Sequence, residues 1–425
     1  MKGVAALAPA LRDAARMVAR VAAGRSLAEE FSRLAEEPVE TPRAALLDLT
    51  HGTLRAYGRV QAVLSELSHR GRPDPLVEAL LWCSFYALGG GRYADYTLVD
   101  QAVRACALLE KWPAKPYVNA LLRSYLRDRG AIEGRIALDD EAKFQHPQWW
   151  IDALREAYPE RWKTVLAAGN AQGPMCLRVN RRRERVEEYR SRLEQAGIPS
   201  RRIGEDGLLL ERAVPVERLP GFAAGEVSVQ DAGAQRAARL LELASAQRVL
   251  DACAAPGGKA AHLLEAADIS LTALDADRAR CARIGGTLER LGLTARVAIA
   301  DCMRLETWWD GLAYERILAD VPCSASGVVR RHPDLKWLRR AQDVAAFADR
   351  QRAILDALWQ VLAVDGKLLY VTCSVFPQEN EDVVNGFTAR VPGACRLALP
   401  DGAEAQWLPD AEHDGFFYAL IAKRA

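Results

Sequence analysis

The chain has 425 residues, half of them hydrophobic and 27% charged, with a formal net charge of +1. That length exceeds one hydrophobic core and implies two or three domains, and the balanced charge leaves any polyanion contact to local clusters. Nine cysteines, with no C-x-x-C pair, exclude a disulfide framework and a structural zinc site. No metal is expected, and a reducing cytoplasm fits best.

The first 24 residues are rich in Ala and Arg, but Arg12, Asp13, Arg16 and Arg20 interrupt any apolar targeting core. Val4, Leu7, Leu11, Ala14, Val18 and Val21 recur at helical spacing, so an amphipathic first helix is expected. Thr41-Pro42 reads as a helix start, a capping hydroxyl before a proline, with the helix running to about Leu67. Further helices are expected at about 76–88, 97–110 and 117–129, divided by Arg72-Pro-Asp-Pro75, Gly89-Gly-Gly91 and Trp112-Pro-Ala-Lys-Pro116. Residues 1–135 therefore read as an all-α domain. Cations cluster at Arg55, Arg59, His69, Arg70 and Arg72, and again at Arg123, Arg127 and Arg129; for any single one of them a solvated helix face is the simpler reading.

Residues 136–235 change character. His146-Pro-Gln-Trp-Trp150 opens a helical stretch to about Ala168, Cys176-Leu-Arg-Val-Asn180 and Leu208-Leu-Leu-Glu-Arg212 read as strands, and a helix is expected over 186–196. From Arg178 to Arg202 there are nine Arg against four Glu. A small α+β subdomain with a basic surface suited to phosphate contacts is the expectation.

From 236 to 425 strand and helix alternate, the pattern of a Rossmann-like α/β domain. Arg248-Val-Leu-Asp251 is a buried strand that breaks at Pro256-Gly257-Gly258 and runs into a helix. Glycines there let a ligand approach the backbone, and the helix start offers free N–H groups. A P-loop is excluded, because Cys253 and Ala260 stand where glycine and a hydroxyl are required. Leu271-Thr-Ala-Leu-Asp275, Arg296-Val-Ala-Ile-Ala-Asp301, Arg316-Ile-Leu-Ala-Asp320 and Lys367-Leu-Leu-Tyr-Val-Thr-Cys373 supply four more strands, and 415–421 closes the sheet. Asp275 stands about 24 residues beyond Asp251, the usual place for a carboxylate that takes a ribose hydroxyl.

Ligands of open α/β sheets bind outside the carboxyl ends of the strands. Asp251, Asp275, Asp301, Asp320 and Cys373 should line one crevice, joined by Cys323 of Asp320-Val-Pro-Cys323. A thiolate there would be a strong nucleophile if positive charge, from Lys259 or helix N-termini, favours it. Cys83, Cys106, Cys176 and Cys395 are expected as small buried apolar residues.

Asp251-Ala-Cys-Ala-Ala-Pro-Gly-Gly-Lys259, Asp320-Val-Pro-Cys-Ser324, Arg331-His-Pro-Asp334 and Thr372-Cys-Ser374 resemble the signature blocks of the RNA (cytosine-5) methyltransferases, and 221–231 resembles their lead-in. Ser324-Ala-Ser-Gly327 departs mildly from the Ser-Gly-Thr-Gly of many relatives. Tyr117-Val-Asn-Ala-Leu-Leu-Arg123 resembles the helix start of a NusB-type RNA-binding domain. Together these point to the bacterial 16S ribosomal RNA branch of the family, the RsmB/Sun/Fmu type.

The resemblance implies S-adenosyl-L-methionine as cofactor, held by Ala252, Cys253, Ala254, Ala255, Pro256, Gly257 and Gly258 with Asp275, Asp301 and Asp320. It implies Cys373 as nucleophile toward C6 of cytosine and Cys323 as the residue of product release. Residue chemistry alone leaves these two interchangeable, since DNA cytosine-5 methyltransferases use a Pro-Cys like Pro322-Cys323. Lys259 would orient the base or favour the thiolate, and Arg330, Arg331 and His332 would meet RNA. The implied partner is 16S ribosomal RNA, unassembled or partly assembled, acted on by a monomer away from membranes. Methylation of transfer RNA, or a noncatalytic role in ribosome assembly, are the alternatives.

Overall fold

The computed structural model describes residues 7–34, 41–68 and 71–425. Val4, His69 and Arg70 therefore lie outside the described residues. The chain divides into two compact units, one of Met1–Ala171 with Val329–Ala341, the other of Gln172–Val328 with Gln342–Ala425.

The first unit is helical. Leu7–Ala22 buries Leu7, Leu11, Ala14, Val18 and Val21, and packs on Pro75–Gly89, Asp95–Leu108 and Arg43–Arg55. Its apolar spacing places these side chains on one face. The long helix expected after Thr41 is two helices, Arg43–Arg55 and Tyr57–Leu67, because Ala56 leaves helical geometry at φ −98° and ψ 18°. Close packing accompanies the break: a Cβ on Gly58 would lie 2.3 Å from the Glu141 carbonyl oxygen. Thr41 is no cap. Its hydroxyl donates to the buried Asp13 carboxylate at 2.6 Å instead. Lys115–Ile136 runs past the expected end, and the stretch after His146 is two helices, Gln148–Ala157 and Trp162–Asn170. The helical unit thus continues to Ala171, beyond the boundary near 135 suggested by composition.

Residues 329–341 belong to this helical unit although they follow the fourth strand of the α/β sheet in sequence. Lys336 is fully buried and donates to the carbonyls of Arg55 (3.2 Å) and Gln145 (2.8 Å) and to Asn170 Oδ1 (2.8 Å). The Trp337 indole donates to the Leu54 carbonyl at 2.9 Å. No helix among the described residues is long and apolar enough to cross a membrane.

The second unit holds two sheets. The smaller has strands β1 (Cys176–Val179), β2 (Ser200–Ile203), β3 (Gly207–Leu210) and β4 (Val227–Val229) in the order β2-β3-β1-β4, all antiparallel. Helix Val186–Gln195 covers it through Val186, Tyr189 and Leu193.

The larger sheet contains β5 (Arg248–Asp251), β6 (Ser270–Asp275), β7 (Arg296–Ile299), β8 (Tyr314–Asp320), β9 (Leu362–Thr372), β10 (Ala394–Leu397), β11 (Gln406–Trp407) and β12 (Phe416–Lys423). Its order is β10-β12-β9-β8-β5-β6-β7, with β11 beside β12. Strands β5 to β9 pair in parallel, while β10, β11 and β12 pair antiparallel. The middles of the central strands are apolar, as burial on both faces requires: Val249, Leu250, Ile317, Leu318, Leu368 and Leu369 are fully buried. Strand order reverses beside β5, which pairs with β6 on one side and β8 on the other. Such a reversal opens a crevice at the carboxyl ends.

Candidate active site

The crevice at that reversal is a cleft of about 260 Å³ whose lining includes Cys253, Asp275, Asp301, Cys302, Asp320, Cys323, Arg350 and Cys373. Three of the four sequence-predicted carboxylates, Asp275, Asp301 and Asp320, and both strand-end cysteines therefore line one cleft. Asp251, at the end of β5, lies beneath it and is fully buried.

The turn after β5 is built for close approach. Gly257 has φ +98° and caps helix Gly258–Ala266. A Cβ there would lie 3.1 Å from Ile284 Cα, and the left-handed conformation itself favours glycine. From behind, the buried Arg178 holds the turn, its Nη1 donating to the Gly258 carbonyl at 2.8 Å.

Asp275 is buried, accepts from the Asp277 N–H at 3.0 Å and faces Arg280 at 3.2 Å. Asp301 accepts from the Met303 N–H at 3.0 Å. Neither Asp251 oxygen has a hydrogen bond of normal geometry. Burial, with repulsion from Asp320, pushes the Asp251 carboxyl up to about 8. A turn of small residues at 252–258 with the strand-end carboxylates of Asp275 and Asp301 could hold a nucleoside with a cationic tail.

Lys259 joins Asp320 at 2.7 Å, with side chains 14% and 27% exposed. Burial alone would lower the Lys259 ammonium, but Asp320, Cys373 and Asp251 outweigh it and hold the group above its ordinary range. The Cys323 and Cys373 sulfurs are 3.4 Å apart. The Cys323 thiol is pushed well up, first by its hydrogen bond with Cys373, then by burial and the nearby charges of Cys373 and Glu379.

Sequence reasoning assigned no role to four residues around the pair, Glu379, Ser324, Ser374 and Gln351. Glu379 is fully buried and accepts from Ser324 N–H (2.8 Å), Ser324 Oγ (2.5 Å), Ser374 Oγ (2.6 Å) and Gln351 Nε2 (3.1 Å). Cys302 was missed too. Its thiol interacts with that of Cys253, which pushes Cys253 well up and draws Cys302 below the ordinary thiol range.

Other expected residues lie elsewhere. Arg330 is 2% exposed and its carbonyl accepts from Arg55 Nη2 at 3.0 Å. Its guanidinium is thus not presented to a phosphate in this conformation, because residues 329–341 pack into the helical unit. Arg331 is half-buried and His332 exposed. The arginine-rich segment is engaged largely by its own fold: Arg178 pairs with Glu265, Arg192 with Glu184 and Glu226, Arg201 with Glu412, and Arg183 with the Ala224 and Leu291 carbonyls. Arg59 is likewise held by Glu133 and Tyr125. Cys83, Cys106 and Cys176 are buried as expected, whereas Cys395 is exposed on β10.

Residues 238–422 match the family described as 16S rRNA methyltransferase RsmB/F, 146–217 its ferredoxin-like domain and 10–127 the NusB family. The chain is 41% identical to ribosomal RNA small subunit methyltransferase B of Vibrio cholerae, over 94% of each chain. It is equally 41% identical to the protein of that name from Pseudomonas syringae, over 97% of this chain and 96% of the relative.

The chain belongs to the ribosomal RNA small subunit methyltransferase B family.

Among solved structures, PH0851 covers 98% of this chain and 99% of its own at a TM-score of 0.81 and 21% identity, a likeness of fold. A methyltransferase homologue from Pyrococcus horikoshii covers 67% of this chain and 98% of its own, at a TM-score of 0.60 and 26% identity. The all-α NusB-like front, the small α+β domain and the Rossmann-like methyltransferase domain are therefore all present.

Proposed function

We propose that this protein transfers a methyl group from S-adenosyl-L-methionine to C5 of a cytosine in small-subunit ribosomal RNA, through a transient bond between Cys373 and C6. The observation that carries the reading is the meeting of two thiols, 3.4 Å apart, on the same cleft wall as Asp275, Asp301 and Asp320.

The donor set fits that cofactor. Asp275 would hold the ribose hydroxyls and Asp301 the adenine side, while residues 252–258 would face the amino-acid end. When bound, the cofactor supplies an electrophilic methyl carbon. Cytosine C5 is too weak a nucleophile to take it unaided. Addition of the Cys373 thiolate to C6 forms a C–S bond and moves the C5–C6 electron pair to C5, which can then accept the methyl group; covalent catalysis splits one hard step into two easier ones.

The methylated ring carries one C5 proton too many. Cys323 would remove it. The largest influence keeping Cys323 protonated is its hydrogen bond with Cys373, and that influence ends when Cys373 becomes a neutral thioether. Cys323 would then release its own proton to solvent and, as a thiolate, take the C5 proton. The C5–H electron pair restores the double bond and expels Cys373 as thiolate. Lys259, ion-paired with Asp320 at 2.7 Å, would stabilise the negative charge returning to that sulfur, and Asp320 would bond the base edge. The base must leave its stack to enter.

The test is Cys373→Ala in the full chain with unmodified small-subunit rRNA, read by bisulfite sequencing. Loss of 5-methylcytosine is expected. Persistent methylation would falsify the nucleophile assignment, and methylation confined to transfer RNA would overturn the substrate.

A further inference from the structure

Two loops bring the thiols together, and one side chain joins the loops. Ser324 follows Cys323, and Ser374 follows Cys373. Both hydroxyls donate to the same oxygen of Glu379, at 2.5 and 2.6 Å, and the Ser324 N–H donates to the other oxygen at 2.8 Å. Gln351 extends the grip: its Nε2 reaches Glu379 at 3.1 Å and the Pro322 carbonyl, just before Cys323, at 3.0 Å. Tyr370 completes the layer, its hydroxyl donating to the Glu379 carbonyl at 2.6 Å and lying 3.0 Å from Gln351 Oε1. Glu379, Gln351, Ser324, Ser374 and Tyr370 are all fully buried. Glu379 does not line the cleft.

A carboxylate in such a place is costly unless its hydrogen bonds are filled. Filled, it is stiff, because each donor fixes another part of the two loops. We propose that Glu379 is a positioning residue for the cysteine pair, a single buried acceptor that sets both sulfurs against one base. The inference rests on the covalent reading above. It explains how Cys323 can reach the C5 proton of a ring already bonded to Cys373: both loops hang from one anchor, so neither sulfur can withdraw without the other.

The test uses the full chain, unmodified small-subunit rRNA and S-adenosylmethionine. In Glu379→Ala the anchor is gone while neither ligand loses a contact, so kcat should fall roughly 100-fold, as misplacements of about an ångström do, with both KM values within about twofold. Glu379→Gln should restore kcat to within about fivefold, since its carbonyl oxygen can accept from Ser324 and Gln351 while its amide donates to the serine hydroxyls. If Glu379→Ala does not fold, Ser324→Ala/Ser374→Ala carries the same prediction at roughly tenfold. Wild-type kcat in either disrupted variant overturns the role. So does a Glu379→Gln enzyme as slow as Glu379→Ala, or a KM for the cofactor that rises in step with the loss of kcat. A wild-type chain that forms no 5-methylcytosine would instead overturn the covalent reading itself.

Discussion

Arg178 and Glu265, 87 residues apart, meet in a two-bond ion pair of 2.8 Å each, with side chains 1% and 3% exposed. The pair ties the small sheet to the helix that opens at the glycine turn. Arg178 Nη1 also donates to Gln230 at 2.6 Å and to the Gly258 carbonyl. Removing one partner of a buried pair leaves the other charge uncompensated. Arg178→Met should therefore destabilise the protein by about 3–5 kcal/mol and weaken cofactor binding through the turn. Denaturant unfolding reads the first effect and calorimetric titration the second. Arg178→Met/Glu265→Leu should recover most of the stability, and failure to do so would show that the charge balance is not what matters here.

The division of labour between the two thiols predicts a trapped intermediate. With Cys323→Ala, the cofactor and Cys373 remain, so attack and methyl transfer proceed, but the C5 proton has no acceptor in reach. Enzyme covalently joined to RNA should accumulate as a slowly migrating band on a denaturing gel, dependent on Cys373. Normal turnover with no such band would count against Cys323 as the base of release.

Asp251 predicts an unusual pH dependence. Its carboxyl is raised from 3.8 to about 8, through burial first and Asp320 second. Between these values the folded protein holds a proton that the unfolded chain has lost. The stabilising linkage is complete below the unfolded value and disappears as pH rises through the folded one. Stability should thus decline by up to about 1.4 kcal/mol per pH unit across that window. Asp251→Asn, which cannot ionise, should flatten the slope and be the more stable protein at pH 8. Melting temperatures of both proteins at four pH values between 5 and 8 measure this, and parallel curves would dismiss it.

The strands that carry the site were legible because parallel strands buried on both faces are short apolar runs, and β5, β6 and β8 each end in an aspartate. The turn after β5 was legible from its glycines. The rest depends on partners distant in sequence. Strand β2 reads Ser-Arg-Arg-Ile and is a sheet edge with exposed arginines, so no apolar alternation marks it. Arg178 looks like its cationic neighbours, and only Glu265 makes it a buried residue. Glu379 lies in a stretch that reads as a polar loop, and its ligands Ser324 and Gln351 stand 55 and 28 positions away. Residues 329–341 follow a methyltransferase strand yet pack among helices, a placement local pattern does not encode.

Asp275 separates cofactor binding from RNA binding most cleanly. It closes β6, it is 4% exposed, and its Oδ2 faces Arg280, whose side chain is 53% exposed. A ribose replacing Arg280 at that carboxylate would gain charge-assisted hydrogen bonds worth about 1.5–3 kcal/mol each. Asp275→Ala should accordingly weaken S-adenosylmethionine binding by roughly 10- to 100-fold, while the KM for RNA stays put because no RNA contact is assigned to this strand end. Arg280→Ala should do the reverse and tighten the cofactor slightly, by removing a competitor for the same oxygen. Titration calorimetry with each variant gives both constants directly. A cofactor affinity untouched by Asp275→Ala would mean that the ribose lies elsewhere in the cleft.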